Sequence, residues 1–247
     1  MPKSGAGRWP MCHSMVDKRS DDVRRMFASV AHRYDFLNRL LSLNIDQHWR
    51  KITRRKLRHE LPSSPFTLDL CAGTGDLALE MAKCGFVIGC DFCRPMLSRG
   101  LEKARKHRLG SRVRFVEGDA LRLPFRSGTF DALTIAFGLR NLENEIHGLG
   151  EMFRVLRTGG TLAVLEFSLP TTPGIRQLYL AYFTRVLPKI GALVSGRDGP
   201  YSYLPASVRE FPTPDELGRL FEQVGFESVR SHHLTFGVAA LTLGKKP

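Results

Sequence analysis

An open α/β sheet, mostly parallel, with helices on both faces, a helical N-terminal extension and a terminal antiparallel hairpin is the fold class the sequence predicts. Three observations predict it. Between Phe66 and Phe167, five short apolar runs alternate with stretches of helical periodicity, the texture of parallel strands joined by crossover helices. The first of those runs leads directly into Ala72-Gly73-Thr74-Gly75-Asp76 and then a helix. The last two apolar runs are separated only by Phe236 and Gly237, which leaves room for a hairpin and none for a crossover.

Taken in order, residues 1–20 mix Gly, Pro, Ser and basic residues without periodicity and read as a flexible tail. Residues 21–61 are helical in pattern. Asp46 is expected to cap a segment in which Trp49, Ile52, Thr53, Lys56 and Leu57 recur at three- and four-residue steps. The other side of that segment is basic, with Arg50, Arg54 and Arg58 in one i,i+4 row and Lys51 and Arg55 in another. Such a row fits a solvated helix face, and it also fits an electrostatic foot for lipid or RNA. Residues 62–247 form the sheet domain, with strands expected over 66–71, 86–90, 113–116, 132–137 and 161–167, and a first crossover helix over 77–82. A helix over 214–224 precedes hairpin strands over 228–235 and 238–243. Residues 170–212 read as an insertion: an apolar helix over 175–194, kinked at Pro188, and then a Gly/Pro-rich loop over 196–212 that suits a mobile lid.

The chain has 247 residues, 43% of them hydrophobic and 25% charged, and its mean hydropathy is −0.17, which excludes a disordered chain by composition. Its 37 Lys and Arg against 24 Asp and Glu give a net charge of +13, a surface that attracts polyanions without choosing among nucleic acid, anionic lipid and phosphorylated ligands. Nowhere do about 18 apolar residues run consecutively, so a spanning helix is not expected. The five cysteines are odd in number and follow no secretory signal, which points to reduced thiols in a cytoplasmic compartment. Cys90 and Cys93 form a C-x-x-C with no second pair at ligand spacing, so neither a metal nor redox chemistry is expected.

The glycines at the first strand-to-helix turn admit a ligand close to the backbone, and Gly73-x-Gly75-x-x-Ala78 also satisfies the loose dinucleotide fingerprint. The acids around it decide between ligands. Asp69 lies in the first strand, Asp91 follows the second, and Asp119 follows the third in Glu117-Gly118-Asp119-Ala120. Each alone fits a helix cap; together they project into one crevice at the carboxyl ends of adjacent strands. There, one carboxylate suits ribose hydroxyls, one an adenine amino group and one an α-ammonium, a set that describes S-adenosylmethionine and requires no pyrophosphate. Arg154-Val155-Leu156-Arg157-Thr158-Gly159-Gly160, a helix end with a glycine turn, and the terminal hairpin complete the pattern of a class I S-adenosylmethionine-dependent methyltransferase with a Rossmann-like sheet.

With those residues in view the chain resembles the ubiquinone/menaquinone biosynthesis C-methyltransferases, which methylate a ring carbon of a polyprenylated quinol. The resemblance rests on Tyr34-Asp35-Phe36-Leu37-Asn38 with Ser42, His48 and Trp49, and on the Arg154–Gly160 segment with Glu166-Phe167-Ser168. Phe137-Gly138-Leu139-Arg140-Asn141, Tyr201-Ser202-Tyr203-Leu204-Pro205 and Phe211-Pro212 extend it from about Val23 to Lys246. It implies that Thr74, Asp91, Asp119 and Ala120 contact S-adenosylmethionine, with Gly73 and Gly75 making the turn. Ala136 stands where the family often has Ser, so a hydroxyl contact is lost there and a backbone contact is retained. Phe36-Leu37 replaces the more usual pairing with Met, and Thr158 stands where Pro is common.

An aromatic carbon becomes a nucleophile when a neighbouring quinol hydroxyl ionises, so the site needs a group that stabilises the phenolate. The resemblance assigns this to Arg140, with water as proton carrier, and assigns ring orientation to Asn141 and to Tyr34 from the helical N-terminal segment that would cover the active site. Outside that resemblance Arg140 fits a surface salt bridge, Asn141 a helix cap and Tyr34 core packing. His48 is read as a buried structural histidine rather than a base. Leu178, Tyr179, Tyr182, Phe183, Val186, Leu187, Ile190 and Leu193 would line a channel for the polyprenyl tail, and the basic helix would hold the protein peripherally on an anionic membrane surface. A homodimer is compatible with all of this. The competing readings are an RNA methyltransferase and a non-catalytic protein binding S-adenosylmethionine or lipid. Against the first, Ala136-Phe137-Gly138-Leu139 is not the Asn/Asp-Pro-Pro-aromatic loop of amine-methylating enzymes and no Pro-Cys nucleophile occurs, so no nucleic acid partner is expected.

Overall fold

The computed structural model describes residues 20–32, 34–42, 44–170, 172–182, 184 and 200–247. The expected tail and most of the apolar run beyond Tyr182, with Phe183, Val186, Leu187, Pro188, Ile190 and Leu193, lie outside the described residues.

Three helices come first: α1 (Ser20–Val30), α2 (Tyr34–Ser42) and α3 (Ile45–Arg58). The sheet domain follows as β1 (Phe66–Leu70), α4 (Asp76–Met81), β2 (Phe86–Asp91), α5 (Arg94–Lys106), β3 (Val113–Glu117), β4 (Phe130–Ala136), α6 (Glu145–Val155) and β5 (Leu156–Phe167). Then come α7 (Pro173–Ala181), α8 (Pro200–Glu210), α9 (Pro214–Val224), β6 (Glu227–Leu234) and β7 (Ala239–Lys245). The seven strands run β3-β2-β1-β4-β5-β7-β6, parallel except for β7, which is antiparallel to both its neighbours.

Alternation along the strands fills both faces. Leu133 and Ile135 of β4 and Leu162 and Val164 of β5 point to one side, where Leu149 and Met152 of α6 and Phe221 of α9 cover them. Ala163 and Leu165 point to the other, under Trp49 and Leu57 of α3 and Leu77 and Met81 of α4. Trp49 is buried and its Nε1 donates to Thr235 Oγ1 at 2.8 Å, pinning α3 to the turn between β6 and β7. Thr213 and Glu216 form a capping box at the start of α9, and Gly225 closes its end with φ 109°.

Four sequence expectations change. Asp46 does not cap α3: Asn44 takes that position, and Asp46 lies inside the first turn, buried and ion-paired with Arg50. The Arg50–Arg54–Arg58 row is therefore no free basic face. Arg50 is buried and Arg54 Nε donates to Glu80 at 2.7 Å, while Lys51, Arg55 and Arg58 are exposed. The Arg157–Gly160 turn is absorbed into β5, which starts as α6 ends, with a register shift on β4 between Phe130 and Ala132. Residues 200–210, expected as loop, are helical, because Leu204 and Val208 fall four apart on a face that packs against Tyr179, Tyr182 and Phe167.

Candidate functional site

The strand order turns outward in opposite directions from β1 and β4, so the crevice beyond their carboxyl ends is the topological switch point of the sheet. Two non-glycine residues adopt left-handed backbone there, Cys71 after β1 with φ 51° and Phe137 after β4 with φ 60°. Such strain is concentrated where a structure holds a site open. Around these ends lie two adjoining cavities. The larger, about 740 Å³ with its open mouth, is lined by Gly73, Asp91, Asp119, Ala120, Ala136 and Asn141, and is covered by Val23 and Phe27 of α1 and Tyr34 of α2. The smaller, about 340 Å³, is lined by Arg50, Asp69, Thr74 and Asp76 and shares Tyr34, Cys71, Gly73 and Ala136 with the first.

The glycine turn is built for close approach. Gly73 has φ 55°, and a Cβ there would reach to 3.8 Å from Met96 and 3.9 Å from Tyr34 across the cavity wall. Gly75 has φ 80°, and its Cβ would fall 2.7 Å from the Phe115 ring. Asp91, at the end of β2, ties this turn down: its Oδ2 accepts from Gly73 N–H and its Oδ1 from Cys93 N–H, both at 2.8 Å. Phe92 N–H also faces this carboxyl, which still has lone-pair capacity left for a ligand hydroxyl. Burial pushes the Asp91 carboxyl up to about 6, against the pull of those backbone donors.

Asp69 is buried within β1. Its Oδ1 accepts from Thr134 Oγ1 at 2.7 Å, its Oδ2 is buried with no partner, and burial raises the carboxyl to about 7. Asp119 is exposed, with Oδ1 accepting from Leu121 N–H at 2.9 Å, and Ala120 beside it is buried. The Thr74 hydroxyl is engaged by Asp35 and by Lys103 Nζ, the latter at 3.2 Å, while Lys103 also pairs with Asp76. All eight cofactor candidates thus surround the two cavities except Gly75, which shapes the turn without lining either.

The three catalytic candidates separate. Asn141 and Tyr34 line the larger cavity, and Asn141 Nδ2 donates to Phe137 O at 3.4 Å. Burial raises the Tyr34 phenol, opposed by its hydrogen bond with Asn38 and by the charge of Arg140. Arg140 lines neither cavity. It is 6% exposed, its Nη1 donates to Glu166 Oε2 and to Phe137 O at 2.7 Å each, and it lies 5.5 Å over the Phe167 ring. Its Nε is buried without a partner. His48 is exposed on α3 beside Lys51, outside both cavities, so it is no buried structural histidine.

The sequence motif Glu166-Phe167-Ser168 gave Glu166 no role; the sign of its buried pairing with Arg140 was a lone carboxylate inside the apolar run Leu162–Phe167, where an unpaired charge would be costly. Sequence reasoning also placed Arg50 on the wrong surface; Asp46 four residues earlier on the same helix was the available sign of an inward pair.

The family model for the ubiE/COQ5 methyltransferases matches residues 15–246. A demethylmenaquinone methyltransferase of Thermus thermophilus is 50% identical over 226 residues, covering 90% of this chain and 100% of that one. A ubiquinone/menaquinone biosynthesis C-methyltransferase of a Geobacter species is 43% identical over 235 residues, covering 94% and 99%. Among solved structures, a SAM dependent methyltransferase from Aquifex aeolicus matches with a TM-score of 0.56 at 17% identity, covering 78% of this chain and 89% of that one, a likeness of fold.

Proposed function

The chain belongs to the ubiE/COQ5 methyltransferase family, and on that premise we propose that it transfers a methyl group from S-adenosylmethionine to a ring carbon of a polyprenylated quinol. Demethylmenaquinol is the substrate and menaquinol the product; the corresponding benzoquinol of ubiquinone biosynthesis is the alternative ring. The observation that carries this reading is the 50% identity, over 90% of this chain, with the Thermus thermophilus protein named for that reaction.

The site's chemistry fits the donor. Asp91 and Asp119 offer carboxylate oxygens to a nucleoside at one end of the joined cavities, and the buried, unpartnered Asp69 Oδ2 offers one to a cation at the other. When bound, S-adenosylmethionine supplies a methyl already activated on a sulfonium. The chain's own task is then to hold the quinol in line and to make its ring carbon nucleophilic, and such positioning is worth an effective molarity of about 10⁵–10⁸ M. Asn141 and Tyr34 orient the ring from the wall of the larger cavity. Tyr34 keeps its proton at neutral pH and can donate from Oη, because burial holds its phenol above the ordinary value. Arg140 is no base, since a guanidinium stays charged. Held by Glu166 and the Phe137 carbonyl behind the cavity wall, it touches no ligand there; its charge bears on the Tyr34 phenol, whose Oη donates to the phenolate oxygen as it develops, with water taking the proton.

The apolar cluster of Tyr179 and Tyr182 with Leu204 and Val208, beside Phe167, receives the first part of the tail. Among the described residues no helix is long and apolar enough to cross a membrane. The protein works on the cytoplasmic face of an anionic membrane, held there by the exposed cations of α3. Presenting reduced demethylmenaquinone and a demethylated benzoquinol side by side tests the reading: product carrying one added methyl on the naphthoquinol supports it, and no methylated product from either quinol overturns it.

A further inference from the structure

Two residues that line the smaller cavity carry buried polar atoms of opposite kind with no partner: the Nε donor of Arg50 and the Oδ2 acceptor of Asp69. The cavity's other charges are spoken for. Asp76 is held by Lys103 and by Gln47 Nε2, the latter at 3.1 Å. Asp46, which takes Arg50 Nη1, also accepts from Ser42 Oγ at 2.7 Å and from Gln47 at 3.3 Å. Arg50 itself is 7% exposed, with its Cζ 5.3 Å from the centroid of the Phe137 ring. A buried guanidinium keeps an unsatisfied donor only at a cost, which a bound anion would remove.

One guanidinium and one carboxyl, each with an unpartnered atom, in the lining of a single small cavity match a ligand end that carries a carboxylate and an ammonium on one carbon. The nucleoside acids, Asp91 and Asp119, line only the larger cavity, and Arg50 and Asp69 line only the smaller one, so the two ends of an aminoacyl nucleoside are sorted between them. We propose that the Arg50 guanidinium anchors the α-carboxylate of the donor's amino acid end, with Asp69 holding the ammonium beside it. This assignment rests on S-adenosylmethionine being the donor. It gives α3 a part in cofactor selection: an adenosine lacking the amino acid is bound through the larger cavity alone, and an amine lacking the carboxylate keeps only Asp69 of the smaller one.

Titration calorimetry of the whole protein with three ligands tests it: S-adenosylmethionine, its decarboxylated form and 5′-methylthioadenosine. Wild-type protein is expected to bind the decarboxylated form about tenfold or more weakly than S-adenosylmethionine, the size of a lost charge-assisted contact. Arg50→Gln is expected to erase that difference while leaving affinity for 5′-methylthioadenosine unchanged. Asp46→Asn combined with Arg50→Gln keeps the buried pair neutral and serves if the single variant does not fold. Equal wild-type affinity for the first two ligands overturns the carboxylate anchor, and so does an Arg50→Gln protein that weakens for all three alike. If wild-type protein binds none of the three, the donor reading itself fails and the anchor falls with it.

Discussion

Asp69 and Asp91 are stored instability. Folding buries both carboxyls and raises them to about 7 and about 6, so each is penalised as it ionises. A raised acid contributes stability below its unfolded pKa and loses it as pH climbs through the folded value. Between about pH 4 and pH 7 the ligand-free protein should therefore lose the stability that these two carboxyls contribute. Asp69 is faced by Thr134 Oγ1 from β4, by the charge of Arg50 from α3, by Ala78 N–H from α4 and by Asp91. Asp69→Asn keeps an oxygen for Thr134 and removes the charge. It should melt higher than wild type at pH 8, match it near pH 5, and bind S-adenosylhomocysteine about tenfold or more weakly. An unchanged melting temperature at pH 8 would show that the carboxylate is not strained. Arg140 makes the opposite case. Arg140→Ala leaves Glu166 buried without its partner, at a cost of about 3–5 kcal/mol. Turnover should fall by about 100-fold or more while donor affinity changes little; unchanged turnover at a temperature where the variant stays folded removes Arg140 from the chemistry. At this scale the sequence was legible where spacing alone placed a residue. Gly73 and Asp91 follow from the strand-to-helix turn and the second strand's end. The Arg140–Glu166 pair joins two strand ends 26 residues apart, a juxtaposition that no local pattern records.

Among the elements, α3 carries the most argument. Its inner face buries Trp49, Thr53 and Leu57 against the sheet, its Arg50 enters the smaller cavity, and its outer face exposes Lys51, Arg55 and Arg58. Charge reversal at Lys51 and Arg55 should weaken association with vesicles of anionic lipid, and binding of the wild type should fall as salt rises from about 0.05 to 0.5 M, which cuts the screening length about threefold. Binding that salt leaves untouched would exclude this face as the attachment. The helical period of α3 was visible in the chain, but its phase was not, because a basic row and a buried ion pair have the same spacing. The strands were legible for a simpler reason: each crossover places an apolar run on both faces of the sheet, and only a run with that composition survives burial there. Residues 200–210 were not legible, because glycine and proline nearby suggested a loop, while the contacts of Leu204 and Val208 with Tyr179 and Tyr182 decide for a helix.

Over the whole molecule, the sheet brings the ends of β1, β2 and β4 to one crevice and the N-terminal helices cover it with a wall that the sheet domain alone does not supply, under which the proposed reaction would bring donor and quinol together. In the proposed reaction a reduced ring is the nucleophile, and its ionising oxygen is held on the Tyr34 side of the larger cavity, under the charge of Arg140. The most direct test offers S-adenosylmethionine labelled with deuterium in its methyl group together with demethylmenaquinone in either the reduced or the oxidised form, and reads ring-bound label by mass spectrometry. Label is expected on the quinol ring and not on the quinone. Label on both forms alike, or on neither while the donor binds, contradicts a quinol nucleophile.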